Sequence, residues 1–445
     1  MKEPGSLKKE LLSGGAWVIA GKGFSAFFSL AVNVLLARVL SPTEYGAYFL
    51  ALSMVSLVAI SGQFGLNRIV VRLVAEALAN SRPGKARGSI RIVFFIGIFS
   101  IICIAAFAIK LNGFWLANTV FHSSELASVM HLAFFWCVVL GLQGLVSETF
   151  RGFHDIRLAT VFGGLVTATV SFFAYLVIFL LIRQANLGNA IMVAIGAGGF
   201  SLLLAVALLA QKTHTLGHAE PCNLGQILRM TFPLFLTSLS IFALREMHLW
   251  ILGAFRNEAE VALFGACHRL MNMISIPLLI VNAVIPPKVA ELFARGDKVR
   301  LERMLRTAAT ISSIPALLVF FVLLFWSSEV LSLVFGNYYE GGTIVLLIMA
   351  AAHTVNVLSG SPGVLLIMSG NEKIIMNFSM FSGVLGLMMT YFSIPRYGFT
   401  GAAAGVALSL VGFNGAAWFY CRYKLNIRTH LDVSNLQYLL KNFRF

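Results

Sequence analysis

Few charged side chains fall inside the apolar stretches of this 445-residue chain, and those few are the residues with chemistry to offer. A charge at the centre of a bilayer costs roughly 2.5–3.5 kcal/mol on insertion scales, so such groups face a cavity or a partner. Arg245, Glu246 and His248 lie together in IFALREMHLWIL, and His268 and Arg269 lie in FGACHRLMNMISI. Lys22 sits a third of the way along GGAWVIAGKGFSAFFSLAVNVLLAR. Arg245 and His248 are three apart and share a helical face. Glu246 points about 100° away and has two roles open to it: an ion pair with Arg269 or Arg245, or cation and proton coupling. The guanidinium fork matches phosphate, so Arg245 and Arg269 suit an anionic substrate in a cavity. Lys22 either joins them or snorkels to the membrane surface. His248 and His268 are either proton-sensitive or neutral and hydrogen-bonded.

A second group closes spans at one membrane face: Gln63, Asn67 and Arg68 in SGQFGLNRIVVR, and Glu148, Arg151 and His154 in SETFRGFHDIR. Gln63, Asn67, Arg68 and Arg151 are candidates for an inner vestibule, with ordinary interfacial residues as the other reading. The five cysteines are scattered and read as small buried hydrophobes. No GxxxxGK[ST], HExxH, CxxC or GxSxG motif occurs, so nothing points to nucleotide hydrolysis, metal binding or covalent catalysis. No sizeable soluble loop exists to hold a sugar-nucleotide site.

The elements that must position these groups are transmembrane helices. Charged residues are 11%, hydrophobic residues 58%, and the mean hydropathy is +0.86. A soluble domain is about a quarter charged. In lipid the backbone must satisfy its own hydrogen bonds, and apolar runs near 20 residues mean helices rather than a barrel. The expected spans are 14–38, 45–66, 90–110, 128–149, 160–182, 189–210, 229–253, 261–286, 308–330, 342–368, 374–394 and 398–421. The fold class is therefore an all-α polytopic membrane protein of twelve helices. The first span reads as a retained helix rather than a cleaved signal, being too long and lacking a clean small-residue cleavage site.

The net charge of +15 reports topology and not nucleic acid. Basic residues crowd the segments 67–89 and 287–307 and the tail after 421, whereas 331–341 has none. Twelve helices with both termini cytoplasmic put every basic cluster inside. The chain also repeats itself. VAEALANSRPGKARGSIR at 74–91 is echoed by VAELFARGDKVRLERMLR at 289–306, and YGAYFLA at 45–51 more weakly by FGACHRL at 264–270. The expected organisation is a six-helix lobe over 1–210, a polar linker over 211–228, a second six-helix lobe over 229–421 and a basic tail over 422–445, of which 431–445 is an amphipathic helix candidate. Parallel repeats of this kind suit alternating access.

The chain resembles the polysaccharide transporter, or oligosaccharide flippase, family of the multidrug/oligosaccharidyl-lipid/polysaccharide exporter superfamily. The resemblance rests on residues 14–66, centred on LLARVLSPTEYGAYFLA, and on RG at 151–152, FP at 232–233, FGACHRLMNMISIP at 264–277, VFGNYYEGGTIVLLIMA at 334–350 and LLIMSGNEK at 365–373. It implies a bacterial or archaeal inner-membrane protein with two six-helix lobes in a V around a cationic central cavity. It also implies flipping of polyprenyl-pyrophosphate-linked sugars to the outer leaflet, without a cofactor and driven by an ion gradient or the membrane potential. The implied partners are the lipid-linked glycan, membrane lipids and a glycan polymerase or glycosyltransferases, with the monomer as the functional unit. A cation-coupled multidrug exporter of the same superfamily is the alternative, for which Glu246 would be the signature. A lipid scramblase or scaffold in glycan assembly is a third reading.

Overall fold

The computed structural model describes residues 4–181, 185–221 and 224–432. Within them the chain is helical throughout, with no strand. In chain order the helices are α1 Pro4–Val39, α2 Pro42–Gln63, α3 Leu66–Ala79, α4 Pro83–Ala105, α5 Gly113–Thr119, α6 Ser124–Ser128, α7 Met130–Gly152, α8 Ile156–Thr160, α9 Val166–Leu181 and α10 Leu187–His214. They continue with α11 Leu224–Phe255, α12 Glu258–Met271, α13 Ile276–Val284, α14 Pro286–Ala294, α15 Lys298–Phe335, α16 Thr343–Ser359, α17 Pro362–Met368 and α18 Glu372–Tyr423. Eleven helical stretches among the described residues are long and apolar enough to cross a membrane. The protein is a multi-pass membrane protein.

The expected twelve spans become eleven because the last two are joined in α18. At 52 residues α18 would be about 78 Å long if straight, more than twice the hydrocarbon core. It is folded back on itself at Gly398, whose φ of 52° and ψ of −137° break the helix just after Pro395. Small residues then line the contact between its arms. A Cβ on Gly405 would lie 1.9 Å from Thr390 Oγ1, one on Gly386 would lie 1.7 Å from Ser409 Oγ, and one on Gly401 would lie 2.8 Å from Ser393 Cβ. The two arms match the expected spans 374–394 and 398–421.

Two segments expected to be loops are largely helical. In 67–89, α3 buries Leu66, Ile69, Val70, Val74 and Ala77 against Ala86, Ile90 and Val93 of α4 and Leu145 of α7. In 287–307, α14 and the first turns of α15 bury Val289, Leu292, Leu301 and Leu305. They are too polar to count as spans, but an amphipathic helix carries arginine on its polar face as readily as a loop does.

The internal repeat is visible in the backbone. Between α3 and α4, the N–H groups of Asn80, Ser81 and Arg82 donate to the carbonyls of Glu76, Leu78 and Ala77. Between α14 and α15, those of Arg295, Gly296 and Asp297 donate to Glu291, Phe293 and Leu292, each 215 positions later. A second pair of turns repeats the pattern at an offset of 216. Phe153, His154 and Asp155 donate to Thr149, Arg151 and Phe150, and Ser369, Gly370 and Asn371 donate to Leu365, Ile367 and Leu366. The middle residue has positive φ in all four, at Ser81, Gly296, His154 and Gly370. This is a helix stop that satisfies the last carbonyls of the preceding helix.

The chain divides into two compact units, Met1–Glu246 with Asn257–Ala262, and Met247–Arg256 with Leu263–Phe445. The division passes through α11. In the second unit, the residues after α18 are not a free tail. Ile427 is fully buried, Thr429 donates to the Ser359 carbonyl at 2.9 Å, and the Leu431 N–H donates to Leu358 at 3.0 Å. Asp432 pairs with Arg306 at 2.9 Å. Apart from Leu431 and Asp432, the expected amphipathic segment 431–445 lies outside the described residues.

Candidate functional site

In the first unit, α1 packs along α8 and α9. Lys22 is exposed, one residue from Gly21, whose missing Cβ leaves room for Thr160 Cγ2 at 2.7 Å from where it would stand. Facing α1, the chain kinks at Gly164, with φ 148°. Beside the kink Gln143 Nε2 donates to the Phe162 carbonyl at 3.0 Å, to Thr167 Oγ1 at 2.6 Å and to Ser201 Oγ at 3.2 Å. This polar node holds the carbonyl freed where the helix breaks. Its signal in the sequence was a lone glutamine in an apolar run.

The vestibule candidates separate. Arg151 and Arg68 come together around Glu148: Arg151 Nη1 bonds its carboxylate at 2.9 Å, and the Arg68 charge acts on the same group. Both arginines are exposed, and Asn67 is half-buried beside Arg68. Gln63 does not line an open space. It is 6% exposed and donates to the Gly141 carbonyl at 2.9 Å, which makes it a link between α2 and α7. Near these, Lys212 of α10 forms a short ion pair with Asp155, which also accepts from the Leu158 N–H at 3.1 Å. Burial pushes the Asp155 carboxyl up, but the hydrogen bonds from Lys212 and Leu158 and the charges of Lys212 and Arg157 together outweigh it and hold the group below the usual carboxylate range.

In α11, Arg245 is exposed and Glu246 half-buried, and no ion pair joins them among the described residues. Consecutive positions on a helix diverge, so the local pairing expected of Glu246 and Arg245 would need a bent helix, and α11 is continuous there.

In the second unit His248 is 1% exposed and cannot touch a substrate in this conformation. Its Nδ1 lies 2.7 Å from Thr390 Oγ1, while Nε2 has no hydrogen-bond partner. His248 thereby forms a polar link between α11 and the first arm of α18. His268 and Arg269 occupy the last turn of α12, both half-buried, with His268 stacked on Phe264. A cation there also complements the helix dipole.

Two polar features of this unit were not foreseen. His353 Nδ1 lies 2.9 Å from Ser275 Oγ, to which Asn356 also donates at 3.4 Å, at the 3-10 turn Asn272–Ser275 that follows α12. Arg256 donates to the carbonyls of Ile394 and Pro395 at 3.0 and 2.9 Å and so satisfies the turn of the α18 hairpin. A lone His in the apolar run 343–359 was the available signal for the first. No local signal existed for the second, because the partners lie about 140 residues apart in sequence. Among the described residues, no group of three His, Cys, Asp or Glu side chains is placed to hold a metal ion.

These features define a class. The fold is that of the MOP-superfamily transporters. A solved multidrug resistance MATE family transporter in an inward-facing conformation superposes with a TM-score of 0.73 at 15% identity, over 90% of this chain and 94% of that one. The Vibrio cholerae MATE transporter VcmN gives 0.63 at 15% identity, over 95% and 98%. A Pyrococcus furiosus MOP-superfamily transporter, described as having a binding pocket of reverse polarity that suggests a different function, gives 0.57 at 14% identity, over 94% and 96%. The chain belongs to the polysaccharide biosynthesis protein family, whose model matches residues 11–293. It is 24% identical over 375 residues to the probable low-salt glycan biosynthesis flippase Agl15 of Haloferax volcanii, covering 84% of this chain and 75% of that one.

Proposed function

We propose that this protein is an alternating-access transporter that flips a polyprenyl-pyrophosphate-linked oligosaccharide from the inner to the outer leaflet of the cell membrane, with both termini cytoplasmic. The observation that carries the cargo is family membership, joined by the similarity to a protein named as a glycan biosynthesis flippase. The exposed Arg245, with Arg269 and Lys22, would attract the pyrophosphate, and the guanidinium fork fits its oxygens. No covalent bond changes. An ion gradient or the membrane potential would supply the drive, and glycan polymerases or glycosyltransferases would be its partners.

The second reading is a cation-coupled multidrug exporter. Solved neighbours favour it over the first, because several are described as MATE or multidrug transporters and match nine-tenths or more of the chain. In that reading Glu246 is the coupling group. The exposed arginine beside it suits a drug cation poorly.

Mass spectrometry of lipid-linked glycans in cells with and without the gene, combined with a leaflet assay, separates the two. Accumulation of one polyprenyl-linked species on the inner leaflet supports the flippase. Unchanged glycans with altered small-molecule efflux establish the exporter.

A further inference from the structure

Unit 1 contains a cavity of about 450 Å³ lined by Arg87, Ile90, Arg91, Thr213, His218 and Ala219. It lies where α4 meets the segment that follows α10. That segment is pinned: Arg87 donates to the Gly217 carbonyl, and the Glu220 N–H donates to the Gly84 carbonyl at 3.0 Å. Gly84 allows the close approach, since a Cβ there would stand 2.6 Å from the His218 carbonyl oxygen. Two guanidinium groups, an imidazole and a hydroxyl therefore converge on one open space. The described residues lining it include no carboxylate; Glu220 Oε1 stands 2.8 Å from where a Cβ on Gly84 would lie.

The repeat supplies an internal comparison. At the offset of 215, Arg91 corresponds to Arg306 and Arg87 to Glu302. In unit 2 the arginine is neutralised. The Arg306 guanidinium bonds Asp432 at 2.9 Å and lies 3.7 Å from Glu302. The strap 424–432 holds the carboxylate in place. Unit 1 keeps the arginine, exchanges the Glu302 carboxylate for a second arginine, and leaves a cavity. The fold thus positions a cation for an oxyanion in both units, and among the described residues lining the two places unit 2 provides the oxyanion from its own chain.

The surface beyond the cavity identifies the ligand's other end. Along α4, Arg87 and Arg91 continue at helical spacing into Phe95, Ile98, Phe99 and Ile102, all exposed, with Phe95 at 75% and Phe99 at 67%. A stripe that begins with two guanidiniums and continues as bare aromatic and aliphatic side chains matches an amphiphile with an anionic head. We infer that this cavity binds the phosphate of an anionic membrane phospholipid, with Arg87 and Arg91 as the phosphate ligands, Thr213 as a hydroxyl donor and the acyl chains lying along Phe95 and Phe99. The site takes no part in the proposed transport reaction and is independent of which cargo is carried.

Native mass spectrometry of the purified full chain, titrated with phosphatidylglycerol or phosphatidylcholine, tests it. Phosphatidylglycerol should bind at a concentration about tenfold lower than phosphatidylcholine. The double variant R87Q/R91Q should abolish that preference. G217D should abolish it too, by adding a carboxylate at the residue whose carbonyl Arg87 bonds, while leaving both arginines in place. R72Q removes an exposed arginine paired with Glu76 elsewhere and should change nothing. If R87Q/R91Q fails to fold, R91Q and G217D decide, since both keep the Arg87 side chain. An unchanged preference in G217D and R91Q overturns the site. Displacement of the lipid by about 10 mM inorganic phosphate would show that the site takes free phosphate and overturns the lipid assignment.

Discussion

Arg245 and Arg269 carry the substrate proposal at the scale of single residues. Each is expected to contribute a charge-assisted bond to the pyrophosphate worth about 1.5–3 kcal/mol, so R245A and R269A should each slow flipping about tenfold or more. A leaflet assay in vesicles reads this, with melting temperature as the check on folding, and normal flipping by the double variant would remove the assignment. His430 makes a separate prediction. Trp418 Nε1 donates to its Nδ1 at 3.0 Å, which requires a neutral ring at that nitrogen. Burial, and then the charges of Arg306, Arg422 and Arg428, hold its pKa below the ordinary histidine value despite Asp432. A group depressed in the folded state stabilises the fold above its unfolded pKa, about 6.5, and that contribution is lost as the pH falls through the folded value. The wild-type melting temperature should therefore drop on acidification below about pH 6.5, and H430Q, which can still accept from Trp418, should flatten that drop. Equal pH profiles for the two proteins would exclude His430 as the cause.

At the scale of elements, the hairpin of α18 makes the clearest demand. Its arms touch through Gly386, Gly401 and Gly405, and a methyl group at Gly405 has Thr390 and the Gly386 carbonyl in its way. G405A should therefore cost about 1–3 kcal/mol and lower the melting temperature. G415A is the matched control on the same helix, because a Cβ on Gly415 meets nothing within 4 Å. Equal stability of the two variants would mean that the arms do not pack as described. The same contact places Thr390 beside His248, so G405A should also disturb that polar link.

At the scale of the whole molecule, the proposed flipping of a lipid-linked glycan makes a prediction for the cell. Deleting the gene should cause one polyprenyl-linked glycan to accumulate on the inner leaflet. The anionic-lipid site adds an expectation: phosphatidylglycerol should raise the melting temperature of the purified protein more than phosphatidylcholine does, and R91Q should lose that difference.

The sequence by itself determined that this is a helical, multi-pass membrane protein with an internal repeat. Those properties are local or periodic. An apolar run must be a helix in lipid whatever its neighbours do, and VAEALANSRPGKARGSIR and VAELFARGDKVRLERMLR fold into the same helix stop because each carries the same local instruction. Lys22, Arg245 and His248 were equally visible as intramembrane polar groups. Which way each faces was not, because facing depends on helices distant in the chain. Tertiary structure buried His248 against Thr390, tied Gln63 to Gly141, and gave the α18 turn its hydrogen bonds from Arg256. It likewise turned a charge run into a site. Arg87 and Arg91 read as topology markers in the sequence, and only the segment 213–219 packing against them made a cavity whose described lining has two cations and no acid. Charge count is a property of composition, whereas its neutralisation depends on what the fold brings within a few ångströms.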